Sequence, residues 1–130
     1  MEMLAPKIII TALCALGLYA SVFMFRKARL AEAGVLEEPS VVQQPAARLF
    51  AGLPNALFGI FYYLALGVVI WLAPQLCAAL VAAAALAALT SLYLAYSLLF
   101  RTRMPCPFCW TSHAINWMLV LLLAFECKFL

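Results

Sequence analysis

Four long apolar runs, each closed by charge or proline, leave this chain few folds to choose from. They cover 8–25, closed by Arg26, Lys27 and Arg29; 55–72, before Ala73 and Pro74; 76–100, closed by Arg101 and Arg103; and 108–125, before Glu126 and Lys128. A bilayer core asks for about 20 apolar residues per helix. Lipid satisfies no backbone amide or carbonyl, so spans of this kind must be helical. Composition points the same way: 69% of the 130 residues are hydrophobic and 10% are charged, too little polar surface to cover a soluble domain of this size. The chain therefore reads as all-α, a polytopic membrane four-helix bundle. It is a single domain over 1–130, with a long capping connection at about 26–54 and no room for a second domain. The first run follows Lys7 as a signal peptide would. Its length, its want of a small-residue cleavage site and the spans after it mark it as a retained anchor.

The connections carry the polarity. The net charge is +3, and the basic residues flank apolar runs instead of forming a patch, which argues for membrane lipid and against nucleic acid as a partner. Residues 26–53 form the one long polar connection, with Glu32, Glu37, Glu38, Gln43, Gln44 and Arg48, interrupted by Pro39 and Pro45. Within it "AARLFAGLP" reads as a short amphipathic piece at the interface. The third span holds "AALVAAAALAAL", whose small side chains permit close helix approach. Four spans place the 26–53 connection and the 101–105 turn on one membrane face. The termini, the Pro74 turn, Cys77 and Cys127 share the other. The loop face holds Arg26, Lys27, Arg29, Arg48, Arg101 and Arg103, against Lys7 and Lys128 on the terminal face. By the positive-inside rule, the loop face is cytoplasmic.

One segment carries chemistry: "MPCPFCWTSHAIN" at 104–116. Pro105 and Pro107 suit a helix start, because proline lacks the amide hydrogen that a first turn leaves unpaired. Cys106 then lies at or just before that start, where free amides and the helix dipole favour an anion. A Cys-x-x-Cys pair at such a position is the arrangement that activates a thiol. His113 follows Cys109 by four residues and Cys106 by seven, and Asn116 continues the same stripe. An imidazole one turn below Cys109 is placed to steady a thiolate or pass a proton. The alternatives are plain packing of two small thiols and a soft-metal site of Cys106, Cys109 and His113. A structural zinc site lacks its four ligands, so no metal is assigned. Cys14, in mid-helix, is expected to be inert. Cys77 and Cys127 share a face, which leaves pairing open, but free thiols are the expectation.

"SLYLAYSLLFRTRMPCPFCWTSHAIN" resembles the third-to-fourth helix region of the vitamin K epoxide reductase family, and "LFAGLPNALFGIFYYLAL" resembles that family's loop end and second helix. The resemblance covers most of 45–117. The Cys-x-x-Cys, the Ala114-Ile115-Asn116 after it and Pro54-Asn55-Ala56 before the second span fall in the family's order. The resemblance implies a thiol–quinone oxidoreductase in a bacterial cell membrane, oxidising thioredoxin-like thiol partners and passing electrons to ubiquinone or menaquinone. By this likeness Cys109 is the sulfur next to the quinone and Cys106 the one that exchanges with a partner. Asn55 matches the asparagine that binds a quinone carbonyl, and His113 stands where animal members have a tyrosine. The chain departs from the family in two ways. Residues 26–53 hold no cysteine, where members usually carry a second, relaying pair; Gln44 stands near the place of the family's loop serine. The charge bias is also opposite to the family's usual placement of the pair towards the periplasm or lumen. A non-catalytic member serving as a subunit of a larger membrane complex is the alternative that the missing relay suggests.

Overall fold

The structure, a computed structural model, describes residues 4–34, 55–103 and 106–128. Four helices follow in chain order: α1 (Leu4–Glu32), α2 (Asn55–Leu72), α3 (Cys77–Ser97) and α4 (Pro107–Lys128). A 3-10 turn, Pro74–Leu76, leads into α3, and a π turn, Leu98–Thr102, follows it. Each helical segment is long and apolar enough to cross a membrane. Among the described residues there is no strand, so the expected all-α membrane bundle is the observed one.

The second span has its expected bounds, but α1 does not stop at Phe25. It runs on to Glu32, placing Arg26, Lys27 and Arg29 on a helix that was expected to be loop. The segment "RKARLAE" is built of good helix formers, and a helix leaving lipid loses none of its backbone bonds. It closes where Gly34 takes a left-handed φ of 75°, with the Gly34 amide donating to the Ala31 carbonyl at 3.1 Å, a role suited to glycine. The "AARLFAGLP" segment and Gln44 lie outside the described residues.

Around the bundle, α2 packs on α1, α1 on α4, and α4 on α3, whereas the chain neighbours α2 and α3 approach each other much less closely. The buried stripe joins Ile10 and Cys14 of α1, Tyr63, Leu66 and Ile70 of α2, Leu80 and Ala84 of α3, and Ile115, Leu119 and Leu123 of α4. Large apolar side chains such as Leu16, Phe61, Leu86 and Leu121 point outward instead, as a lipid-facing surface requires. The α1–α2 contact depends on missing side chains. A Cβ on Gly17 would lie 2.6 Å from the Tyr63 ring, and one on Gly59 would lie 2.6 Å from Ser21 Oγ.

At the terminal end, Trp71 Nε1 donates to Thr11 Oγ1 at 2.7 Å, and Lys7 Nζ sits 5.8 Å from the Trp71 ring. Cys77 and Cys127 were expected to be free thiols; they form a disulfide, with their Cα atoms 5.7 Å apart. The reason is topological. The helices α3 and α4 are antiparallel neighbours, so the first residue of one meets the last turn of the other within disulfide reach. Cys14 is the free, buried cysteine.

Candidate functional site

The loop-face tip of α4 follows from its prolines. Pro107 is the first residue of the helix, so Cys106 occupies the capping position before it. The Cys106 carbonyl accepts the Trp110 amide at 3.1 Å. Its sulfur accepts the Cys109 amide at 3.2 Å, the place a serine or threonine oxygen fills in an ordinary helix cap. Cys106 and Cys109 are joined to each other, Cα to Cα 5.2 Å. Cys106 is buried and Cys109 half-buried. Between them in sequence, Phe108 stacks on Phe23 of α1 at 4.1 Å and 19° between planes, with Tyr19 at 6.3 Å. The tip is thus clamped against α1.

One turn below Cys109 lies His113, which is buried. Trp110 meets it edge-on at 6.0 Å, and Trp117 lies at 6.2 Å on the other side. Its Nδ1 is buried with no hydrogen-bond partner among the described residues, as is the Tyr62 hydroxyl. A buried polar atom left unpaired is costly, so both call for a partner that the described residues do not supply. Deeper still, Asn116 ties three helices together. Its Oδ1 accepts the Tyr63 hydroxyl of α2 at 2.6 Å, and its Nδ2 donates to Ser91 Oγ of α3 at 2.7 Å. Trp117 Nε1 donates to the Ala88 carbonyl at 3.3 Å.

The Tyr63–Asn116 bond also sets the relative depth of the helices. Asn55 lies eight residues above Tyr63, a rise of about 12 Å. Cys109 lies seven above Asn116, a rise of about 10 Å. Residues 55, 59 and 63 recur every four positions, as do 109, 113 and, nearly, 116, so both stripes look toward the same interior. Asn55, half-buried, therefore stands at the level of the cysteine pair. Cys106, Cys109 and His113 share one helix end, with Asn55 at equal depth on α2.

Sequence reasoning did not reach the Tyr63–Asn116–Ser91 chain. A signal was present: Ser91 is a hydroxyl in an alanine- and leucine-rich span, and polar groups within spans seek partners across helices. Glu126 was read only as a flank. It is buried, and its Oε1 has no hydrogen-bond partner among the described residues. The two sulfurs of the soft-metal alternative are bonded to each other, and among the described residues no three His, Cys, Asp or Glu side chains converge to hold a metal.

Residues 8–124 match the model of the vitamin K epoxide reductase family. The match takes in α1 as well as the stretch whose motifs are legible by eye. No curated protein sequence matches the chain significantly.

Proposed function

The chain belongs to the vitamin K epoxide reductase family, and from that premise we propose that it is a membrane thiol–quinone oxidoreductase whose redox pair is Cys106 and Cys109. The observation that carries the reading is the capped disulfide above a buried imidazole whose Nδ1 has no hydrogen-bond partner among the described residues. His113 and Asn55 are the residues that would hold a quinone of the ubiquinone or menaquinone class. The donor set fits: a ring carbonyl is an acceptor for the buried His113 imidazole N–H, which has none among the described residues. A quinone bound there would take up the two electrons and two protons released as the Cys106–Cys109 bond re-forms.

The chain's own residues do the rest. Cys106, at the helix start, is the sulfur that a dithiol partner attacks, which releases Cys109 as the thiolate facing the interior. The Cys109 amide, aimed at the Cys106 sulfur, stabilises negative charge on that atom. His113 orients the ring and holds a proton one turn below Cys109. Phe108, stacked on Phe23, keeps water from the tip. Cys106 is the more buried of the two cysteines, so access sets the demand on the partner. A thioredoxin-like protein or a small dithiol must reach the tip directly, because residues 26–53 offer no relaying cysteine. Four apolar helices make this a multi-pass integral protein, and the proposed residence is a bacterial cell membrane.

The test is quinone reduction by purified protein with a dithiol donor. Cys109→Ala abolishes it and Cys14→Ala leaves it intact; full activity in Cys109→Ala would refute the assignment. A second reading, favoured by the cysteine-free connection, is a non-catalytic subunit of a larger membrane complex. It requires co-purification with other membrane proteins in fixed ratio, unchanged when both Cys106 and Cys109 are replaced by serine.

A further inference from the structure

Glu126 and the Cys77–Cys127 bond lie together at the terminal end of the bundle, and the chemistry at the other end uses neither. Cys77 opens α3, and Cys127 stands in the last turn of α4. Glu126, one residue before Cys127, continues the inward stripe of Leu119 and Leu123. It is 3% exposed, and its Oε1 has no hydrogen-bond partner among the described residues. A carboxyl group buried at the end of a membrane span is expensive to keep, and such a group is retained for a task. The chemistry next to it in the chain is the disulfide.

The two sulfurs of that bond are not equivalent. Cys77 is buried, whereas Cys127 is half-buried beside the exposed Lys128. A thiolate arriving from water therefore meets Cys127 first, and the neighbouring ammonium favours the approach of an anion. The leaving sulfur is then Cys77. It sits in the first turn of α3, where the helix dipole favours negative charge, and exchange is faster when the departing sulfur is the more stable thiolate. Cys127, in a last turn, has the unfavourable end of its helix dipole. Access and leaving-group stability thus select the same direction of cleavage. The buried Cys77 sulfur still needs a proton, because a charge kept out of water is costly.

We propose that Cys77, Cys127 and Glu126 form a second thiol–disulfide exchange site, which takes a dithiol reductant at Cys127 and uses Glu126 to carry the proton of Cys77. The donor's first thiolate, having lost its proton to water, attacks Cys127 Sγ. The Cys77–Cys127 bond breaks, its electron pair stays on Cys77, and Glu126 protonates that sulfur. The donor's second thiol restores the Glu126 proton and, as a thiolate, attacks the donor sulfur in the mixed disulfide. Cys127 leaves as the thiolate and takes a proton from water. The donor ends as a disulfide and the chain holds two thiols, having gained two electrons and two protons. The covalent tie between the start of α3 and the end of α4 is thereby opened. No step passes through Cys106, Cys109 or a quinone, so the site stands whether or not the oxidoreductase reading does.

The test uses the full chain in detergent micelles, with Cys106 and Cys109 replaced by serine so that the second bond alone reports. Dithiothreitol or a reduced thioredoxin is added, samples are quenched with acid and alkylated, and peptide mass follows Cys77 and Cys127. The expected result is that both thiols appear while helical circular dichroism is unchanged, with either donor; the faster donor at equal thiol shows whether a small dithiol or a protein is preferred. A bond that opens only once helicity is lost is a staple, and overturns the proposal. Glu126→Gln, which keeps the side chain's shape, is expected to slow reduction roughly 100-fold, and slowing by less than about tenfold overturns the role of Glu126 as proton carrier. Two further variants keep the direction of attack testable should Glu126→Gln fail to fold. Cys77→Ser is expected to form a mixed disulfide with oxidised glutathione at Cys127, and Cys127→Ser to form none at Cys77. Equal capture at both, capture at Cys77 alone, or capture at neither overturns the proposal.

Discussion

Asn116 is the side chain whose loss should be felt in three helices at once. It accepts from Tyr63 at 2.6 Å and donates to Ser91 at 2.7 Å, both inside the membrane-spanning part of the bundle. Interhelical side-chain bonds in membranes average about 0.6 kcal/mol and reach about 1.7. Two such bonds put the cost of Asn116→Ala at about 1–3 kcal/mol. Ser91→Ala removes one bond and should cost about 0.6 kcal/mol; Tyr63→Phe, whose hydroxyl also meets Ser112, should cost at least as much. The pairwise structure makes a sharper statement than any single value. Once Asn116 is gone, Ser91 has lost its amide donor, so adding Ser91→Ala should cost nothing further, and the double variant falls short of the sum by about 0.6 kcal/mol. Reversible unfolding in a graded denaturing detergent, followed by helical circular dichroism, measures all four proteins. A cost for Asn116→Ala below about 0.3 kcal/mol, or strict additivity in the double variant, would refute the claim that these bonds hold the three helices in register.

Other outcomes follow from the same geometry. Gly17→Ala should destabilise by about 1–3 kcal/mol despite the better helix propensity of alanine, because the Tyr63 ring it meets is buried and tethered to Asn116. Gly59→Ala should cost less in the same unfolding assay, since the Ser21 hydroxyl it meets can rotate away. Cys77→Ser should lower stability by at most about 4 kcal/mol, the chain-entropy value for a loop of this length, and leave dithiol-driven quinone reduction at the original rate. His113→Phe should raise the KM for quinone roughly fivefold, the worth of about one hydrogen bond, with the dithiol KM unmoved; equal changes in both would mean the imidazole acts elsewhere.

How much of this was legible beforehand depends on what each feature needs. Span number and the bounds of α2 need only a local run of apolar residues closed by polar ones, and they were readable. The capping role of Cys106 was readable too, because Pro105 and Pro107 state locally where a helix begins. The extension of α1 to Glu32 was not legible in the same way, because Arg26 marks where lipid ends and not where the helix bonds end. The Cys77–Cys127 bond and the Tyr63–Asn116–Ser91 chain needed the rotation of each helix about its axis. These spans are apolar on all sides, so no amphipathic stripe announces the inward face. That face is chosen by contacts such as Gly17 against Tyr63, which exist only between helices.

The sulfur that caps α4 is also the sulfur that changes oxidation state. When its bond to Cys109 opens, the Cys109 amide keeps a sulfur acceptor in the mixed disulfide, and a better one once the partner leaves, since a thiolate attracts an N–H more strongly than a disulfide sulfur does. Nothing at the helix start has to unwind to accommodate the change. The oxidised and reduced chains can share one backbone, so turnover at this end need shift little more than one bond and the charge upon it.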